Sequence, residues 1–216
     1  VVGEQQILGQ VRAAYTEAKE AGTAGRELGD LAQAALRVAK DVRSRTGIDK
    51  AGASVVSVGL TEALRELNRR GGPEPHATRV VVLGAGAMAG MAAAAVARQD
   101  LGALSVVSRN ADQGRRLAES RNGRAGVWAE LADTVAGADL VICCTGASGS
   151  VLTRAAVESA MAERSDRALV VLDLALPHDS DPDVVDVPGV ARLDLAYLSG
   201  RREAYQDLAE VESARK

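Results

Sequence analysis

Apolar positions in the first third of the chain recur at helical spacing. Ile7, Leu8, Val11, Tyr15 and Ala18 fall on one face of a segment from 4 to 21 that ends before Gly22. Leu28, Leu31, Ala35, Val38 and Val42 repeat in the same way in a second segment that stops near Gly47. Val58, Ala63, Leu64 and Leu67 mark a third helix, with Ser54 expected as its cap. The run Arg70-Gly-Gly-Pro-Glu-Pro then breaks the pattern. From Arg79 onward, short β-branched runs at 79–83, 103–108, 125–128, 139–144, 168–174 and 190–194 read as strands. Helical patterns at 87–99, 111–120, 130–136 and 153–163 fall between most of them. This alternation predicts an α/β fold, a doubly wound parallel sheet with right-handed crossovers. Continuous apolar runs such as Ala168–Ala175 suit strands covered on both faces. Three regions are expected: residues 1–50, helices of a second domain; 51–196, the sheet domain; and 197–216, the start of a long charged helix.

The run Arg79-Val-Val-Val-Leu-Gly84-Ala85-Gly86-Ala87-Met88-Ala89 joins the first strand to an alanine-rich helix. Gly84 suits the tight turn out of the strand, and Gly86 lets the backbone approach a pyrophosphate. Ala89 stands where a third small residue packs helix on strand. The amides and dipole opening that helix would face the phosphates. Strand before and helix after supply the context that a bare glycine pattern lacks, so the sheet is of Rossmann type. The second strand ends in Ser108-Arg109-Asn110, without the carboxylate that accepts from an unmodified ribose. A serine hydroxyl and a guanidinium match a 2′-phosphate instead, which predicts NADPH in preference to NADH. Asn110 also suits a helix cap. Thr145 and Gly146 follow the fourth strand; Thr145 either meets the nicotinamide ribose or caps a turn.

Composition narrows the function classes. The net charge is −3, and the arginine pairs are scattered, so no basic stripe marks a general nucleic-acid binder. With no Phe and aromatics at 2% of residues, the core must be built from Ala, Val and Leu. The only cysteines, Cys143 and Cys144, are adjacent in a strand, which excludes a disulfide scaffold and fits a reducing, cytoplasmic setting. Small core residues of this kind, with no cation or histidine beside them, are not expected as nucleophiles. The longest apolar run, Ala87–Ala97, is too short for a bilayer, so no membrane contact is expected.

Several stretches in order resemble glutamyl-tRNA reductases. They are Gly3-Glu4-Gln5-Gln6-Ile7-Leu8-Gly9-Gln10-Val11-Arg12, Val42-Arg43-Ser44-Arg45-Thr46-Gly47-Ile48, Ser54 and Ser57, Gly84–Ala89, and Asp173-Leu-Ala-Leu-Pro177-His178-Asp179. The resemblance implies NADPH-dependent reduction of glutamate carried on its tRNA to glutamate-1-semialdehyde, in tetrapyrrole synthesis. It implies that Glu4, Gln5, Gln6 and Gln10 contact the glutamyl substrate. The family attacks the ester with an N-terminal cysteine and carries an active-site histidine. Neither is found here, since His76 falls in a linker and His178 on a loop, so cofactor binding without turnover is expected. The segment from Tyr197 resembles the start of the family's spinal helix, which leads to a dimerisation domain, so the complete protein is expected to be a homodimer. His178 stands where the family often carries arginine. Two other readings stay open: an NADPH oxidoreductase of the shikimate-dehydrogenase class, for which no lysine–aspartate pair stands ahead of the cofactor domain, and a non-catalytic NADP-binding module.

Overall fold

The computed structural model describes residues 5–45, 48–164 and 167–200, and within these the side chains of 5–10 and 39–54 are left aside. The chain divides into two compact units, Val1–Ser54 and Val55–Lys216. In the first, α1 (Gln5–Glu20) and α2 (Arg26–Arg45) pack together, joined through a left-handed Gly22 (φ +67°). Tyr15 closes over Gly29, where an added Cβ would lie 3.1 Å from its hydroxyl. Of the apolar stripe read on α2, Leu28, Leu31 and Val38 remain exposed.

Helix α3 spans Ile48–Arg69, so Ser54 is an internal helical residue and not the expected cap. Gly52 does not interrupt the helix, because a glycine inside one costs only about 1 kcal/mol, which the rest of a long helix offsets. A short 3-10 turn, Pro75–Ala77, then carries the linker and His76 into the sheet.

The sheet is parallel throughout, built from β1 (Val80–Leu83), β2 (Leu104–Val107), β3 (Arg124–Gly126), β4 (Leu140–Cys143), β5 (Leu169–Asp173) and β6 (Val190–Asp194). Its order, β3-β2-β1-β4-β5-β6, reverses direction between β1 and β4. That is the doubly wound dinucleotide-binding order, with its switch point at the carboxyl ends of those two strands. Helices α4 (Ala87–Arg98), α5 (Ala111–Glu119), α6 (Leu131–Ala136) and α7 (Arg154–Ala162) make the crossovers. One side of the sheet packs on α3, α4 and α5 through residues such as Leu60, Leu67, Ala92, Val96 and Ala118. The other packs on α6, α7 and the 3-10 turn Pro182–Asp186 through Val135, Val157, Ala160 and Val184. Every residue of β1, β4 and β5 is buried, as strands covered on both faces require. β3 is displaced from the expected 125–128, because Trp128 already opens a 3-10 turn.

Candidate functional site

The three clusters read from the sequence meet at one edge of the sheet. Leu83 at the tip of β1 registers with Val107 on β2 and Cys143 on β4, so the loops beginning at Gly84, Ser108 and Thr145 emerge side by side. Gly84 donates its amide to Val107 O at 2.8 Å, and Cys144 donates to Leu83 O at 2.9 Å. Gly84 holds φ +113°, and a Cβ there would sit 2.6 Å from the Cys144 carbonyl oxygen. Only glycine satisfies both conditions. Gly86 differs: it caps α4 at φ −77°, and a Cβ on it would meet nothing within 4 Å. Its smallness serves no contact within the chain and leaves open space beside the first amides of α4. Ala85, Ala87 and Met88 line that turn half-buried, while Ala89 is fully buried beneath it.

At the tip of β2, Arg109 is exposed and has no hydrogen bond or ion pair among the described residues. Asn110 caps α5, its side chain accepting from Gln113 N at 3.1 Å. Ser108 is half-buried, close enough to Gly114 that a Cβ there would stand 3.2 Å from its own. Thr145 at the tip of β4 caps its own turn, as the sequence allowed, and is also tied to Asp179. Its hydroxyl donates to Asp179 Oδ1 at 2.5 Å and accepts from Ala147 N at 3.2 Å, while its amide donates to Asp179 Oδ2 at 2.5 Å. A threonine hydroxyl has one proton and two lone pairs, so one acceptor position is left for a ligand. Gly146 follows at φ +63°. The open cradle at Gly86, the free guanidinium and the helix start fit a phosphorylated dinucleotide.

The comparisons agree with this geometry. Residues 66–199 match the family described as shikimate / quinate 5-dehydrogenase, and residues 1–46 match the N-terminal domain of glutamyl-tRNAGlu reductase. Glutamyl-tRNA reductase 1 of a Nocardioides species is 44% identical over 215 residues, covering 100% of this chain and 48% of that protein. The glutamyl-tRNA reductase of Salinispora arenicola is 45% identical over 217 residues, covering 98% of this chain and 47% of that protein. The chain belongs to the glutamyl-tRNA reductase family. Within it, the sheet domain is a member of the shikimate / quinate 5-dehydrogenase group of domains. The solved glutamyl-tRNA reductase of Methanopyrus kandleri is similar over 98% of this chain and 53% of its own, at 28% identity and a TM-score of 0.66. The chain spans about half the length of the curated relatives it matches. The sheet domain is thus of the type that takes a nicotinamide dinucleotide.

In glutamyl-tRNA reductase terms, the expected substrate contacts lie in the first unit. Glu4 is outside the described residues, and Gln5, Gln6 and Gln10 fall on the first turns of α1, where only the backbone is described. Cys143 and Cys144 face opposite sides of the sheet and are both buried. Burial pushes both thiols well above their usual range, and the nearby carboxylates of Asp173 and Asp179 push the same way. A thiol so placed stays protonated and unreactive. Among the described residues no cluster of His, Cys, Asp or Glu could hold a metal ion. No helix among them is long and apolar enough to cross a membrane.

Sequence reasoning gave no role to the polar group behind the loops. Asp173 ends β5 fully buried and accepts from Ser180 N at 2.9 Å and Ser180 Oγ at 2.5 Å. Arg192 on β6 donates Nε to Ser180 Oγ and Nη1 to Asp194 Oδ2, both at 2.8 Å. His178 Nδ1 is buried without a hydrogen bond, 3.8 Å from Asp173 Oδ2. The available signal was a charge closing each of two apolar strands, since Asp173 and Asp194 are register partners.

Proposed function

We propose that this chain is the NADPH-binding part of an enzyme that reduces glutamyl-tRNA to glutamate-1-semialdehyde for tetrapyrrole synthesis. The observation that carries this reading is the order of its parts. A segment matching the N-terminal domain of glutamyl-tRNAGlu reductase precedes a dinucleotide sheet, and relatives of that name align over the whole chain. A dehydrogenase of the shikimate class shares the sheet but not the first segment.

NADPH supplies a hydride when bound, and the chain's own residues hold and orient it. The amides opening α4 face its pyrophosphate across the space kept clear at Gly86. Arg109 has nothing to neutralise it within the described chain, and the tip of β2 carries no carboxylate. Both features suit a 2′-phosphate and not a bare ribose. Glu4, Gln5, Gln6 and Gln10 are proposed to hold the glutamyl group. The Glu4 carboxylate would take its α-ammonium, and the Gln6 and Gln10 amides share a helix face at i,i+4 spacing. The nucleophile is not supplied by Cys143 or Cys144, so turnover belongs to the complete protein, proposed to be a homodimer working in the cytoplasm. The complete protein is expected to oxidise NADPH only when glutamyl-tRNA is present and to release the semialdehyde. NADPH oxidation driven by a shikimate-like hydroxy or keto acid, with glutamyl-tRNA inert, would overturn the reading.

A further inference from the structure

Asp179 lies in the loop after β5, three residues beyond the cis Leu176–Pro177 bond, and is fully buried. It joins the end of β5 to the tip of β4 and to the stretch that leads into α7. Its carboxylate takes both the amide and the hydroxyl of Thr145 at the tip of β4. Its carbonyl oxygen accepts from Val151 N at 2.6 Å and Leu152 N at 2.8 Å, in the stretch that leads into α7. Its own amide donates to Asp173 Oδ1 at 3.4 Å, and the next residue is held by the other oxygen of Asp173. Asp173 is anchored in turn at the end of β5, where Leu174 N donates to Cys143 O at 3.0 Å.

These ties all fall on one half of the sheet edge. In this strand order the nucleotide beside β1–β3 is the adenine half, and the carboxyl ends of β4–β6 serve the nicotinamide half. The adenine half has supports of its own: Gly84 N on Val107 O, and the Asn110 cap on α5. Neither involves Asp179. A buried carboxylate receiving two donors from a single residue fixes that residue's backbone and its rotamer together. The Thr145 hydroxyl donates to Asp179 and accepts from Ala147 N, so its remaining lone pair is held in a set direction.

We propose that Asp179 is a positioning residue for the nicotinamide half of the dinucleotide, acting through Thr145. It does not touch the ligand; it holds the threonine that does. The inference rests on the dinucleotide reading and extends it to the second half of the site.

The test is calorimetric titration of this chain with NADPH and with 2′,5′-ADP, which carries the adenine-side phosphates but no nicotinamide. Asp179→Ala should weaken NADPH by about threefold to tenfold, the worth of one lost neutral hydrogen bond, and leave 2′,5′-ADP within about twofold. Thr145→Val should give the same selective loss, and the double variant should be no worse than either single one, because both break the same link. Asp179→Asn keeps one acceptor and should fall between wild type and Asp179→Ala, which holds the test open if the alanine variant fails to fold. Equal losses for both ligands, or additive losses in the double variant, would overturn the positioning role. A wild-type chain that binds neither ligand would overturn the dinucleotide reading, and the inference with it.

Discussion

Gly84 and Gly86 stand two residues apart and answer to different constraints. Gly84 is demanded by the fold, through its positive φ and a backbone oxygen 2.6 Å from where a Cβ would go. Gly84→Ala should therefore destabilise the chain by about 1–3 kcal/mol or more, read as a lower urea midpoint. Gly86 sits at a φ that alanine adopts freely, with nothing near. Gly86→Ala should leave stability within about 0.5 kcal/mol while NADPH affinity falls, because the methyl group fills the space the pyrophosphate needs. Arg109→Leu should cost about 1.5–3 kcal/mol in NADPH affinity, the usual worth of a charge-assisted hydrogen bond, and leave NADH binding nearly unchanged. Asp179 carries a pH signature. Burial raises its carboxyl, Thr145's hydroxyl and amide lower it in part, and Asp173's charge raises it further, leaving it above the ordinary value. The folded state then holds that proton more tightly than the unfolded one, so the contribution to stability is full below about pH 4 and is lost as pH rises through the raised value. Asp179→Asn should accordingly gain on wild type as pH climbs from about 4 to 7 in thermal unfolding. At this scale the sequence was legible where a residue serves a local motif: Gly84, Gly86, Ala89 and the Asn110 cap. It gave no role to Asp179 and Arg192, whose partners Thr145 and Ser180 are brought close only by the fold.

Elements were more legible than contacts. Hydrophobic period found the helices α1–α7 and the strands β1–β6. Its errors lie at ends, where packing and caps decide. Thr153 opens α7 by accepting from Ala156 N at 3.2 Å, while the helix's first amide, Arg154 N, is taken by Asp181 Oδ2 at 2.9 Å from another loop. At the opposite edge of the sheet, buried Asp139 accepts from Arg79 N at 2.8 Å and pairs with Arg167, tying the entry of β1 to that of β5. Asp139→Ala removes both ties but leaves the two arginines substantially exposed. It should cost about 1.5–3 kcal/mol of stability, the worth of a hydrogen bond to a charged group, and leave NADPH affinity unchanged, since the cofactor edge is at the other end of the strands. A matching loss of affinity would mean that the two edges are coupled, contrary to this account.

For the molecule as a whole, the alternation of strand and helix was enough to anticipate a doubly wound sheet, because parallel strands need crossovers and crossovers have one hand. The reversal between β1 and β4 is what turns that sheet into a site. The first unit was legible as helices, and the proposal that it meets the glutamyl group rests on the resemblance. Its exposed Leu28, Leu31 and Val38 show that period alone does not say what an apolar stripe packs on.

The central claim is that the bend at Gly84–Gly86 and the guanidinium of Arg109 together grip a dinucleotide bearing a 2′-phosphate. Titrating this chain with NADPH and NADH side by side tests it most directly. The account predicts NADPH tighter by about tenfold to a hundredfold, a preference abolished in Arg109→Leu. Equal affinity for the two, or a preference that survives the loss of Arg109, would contradict it.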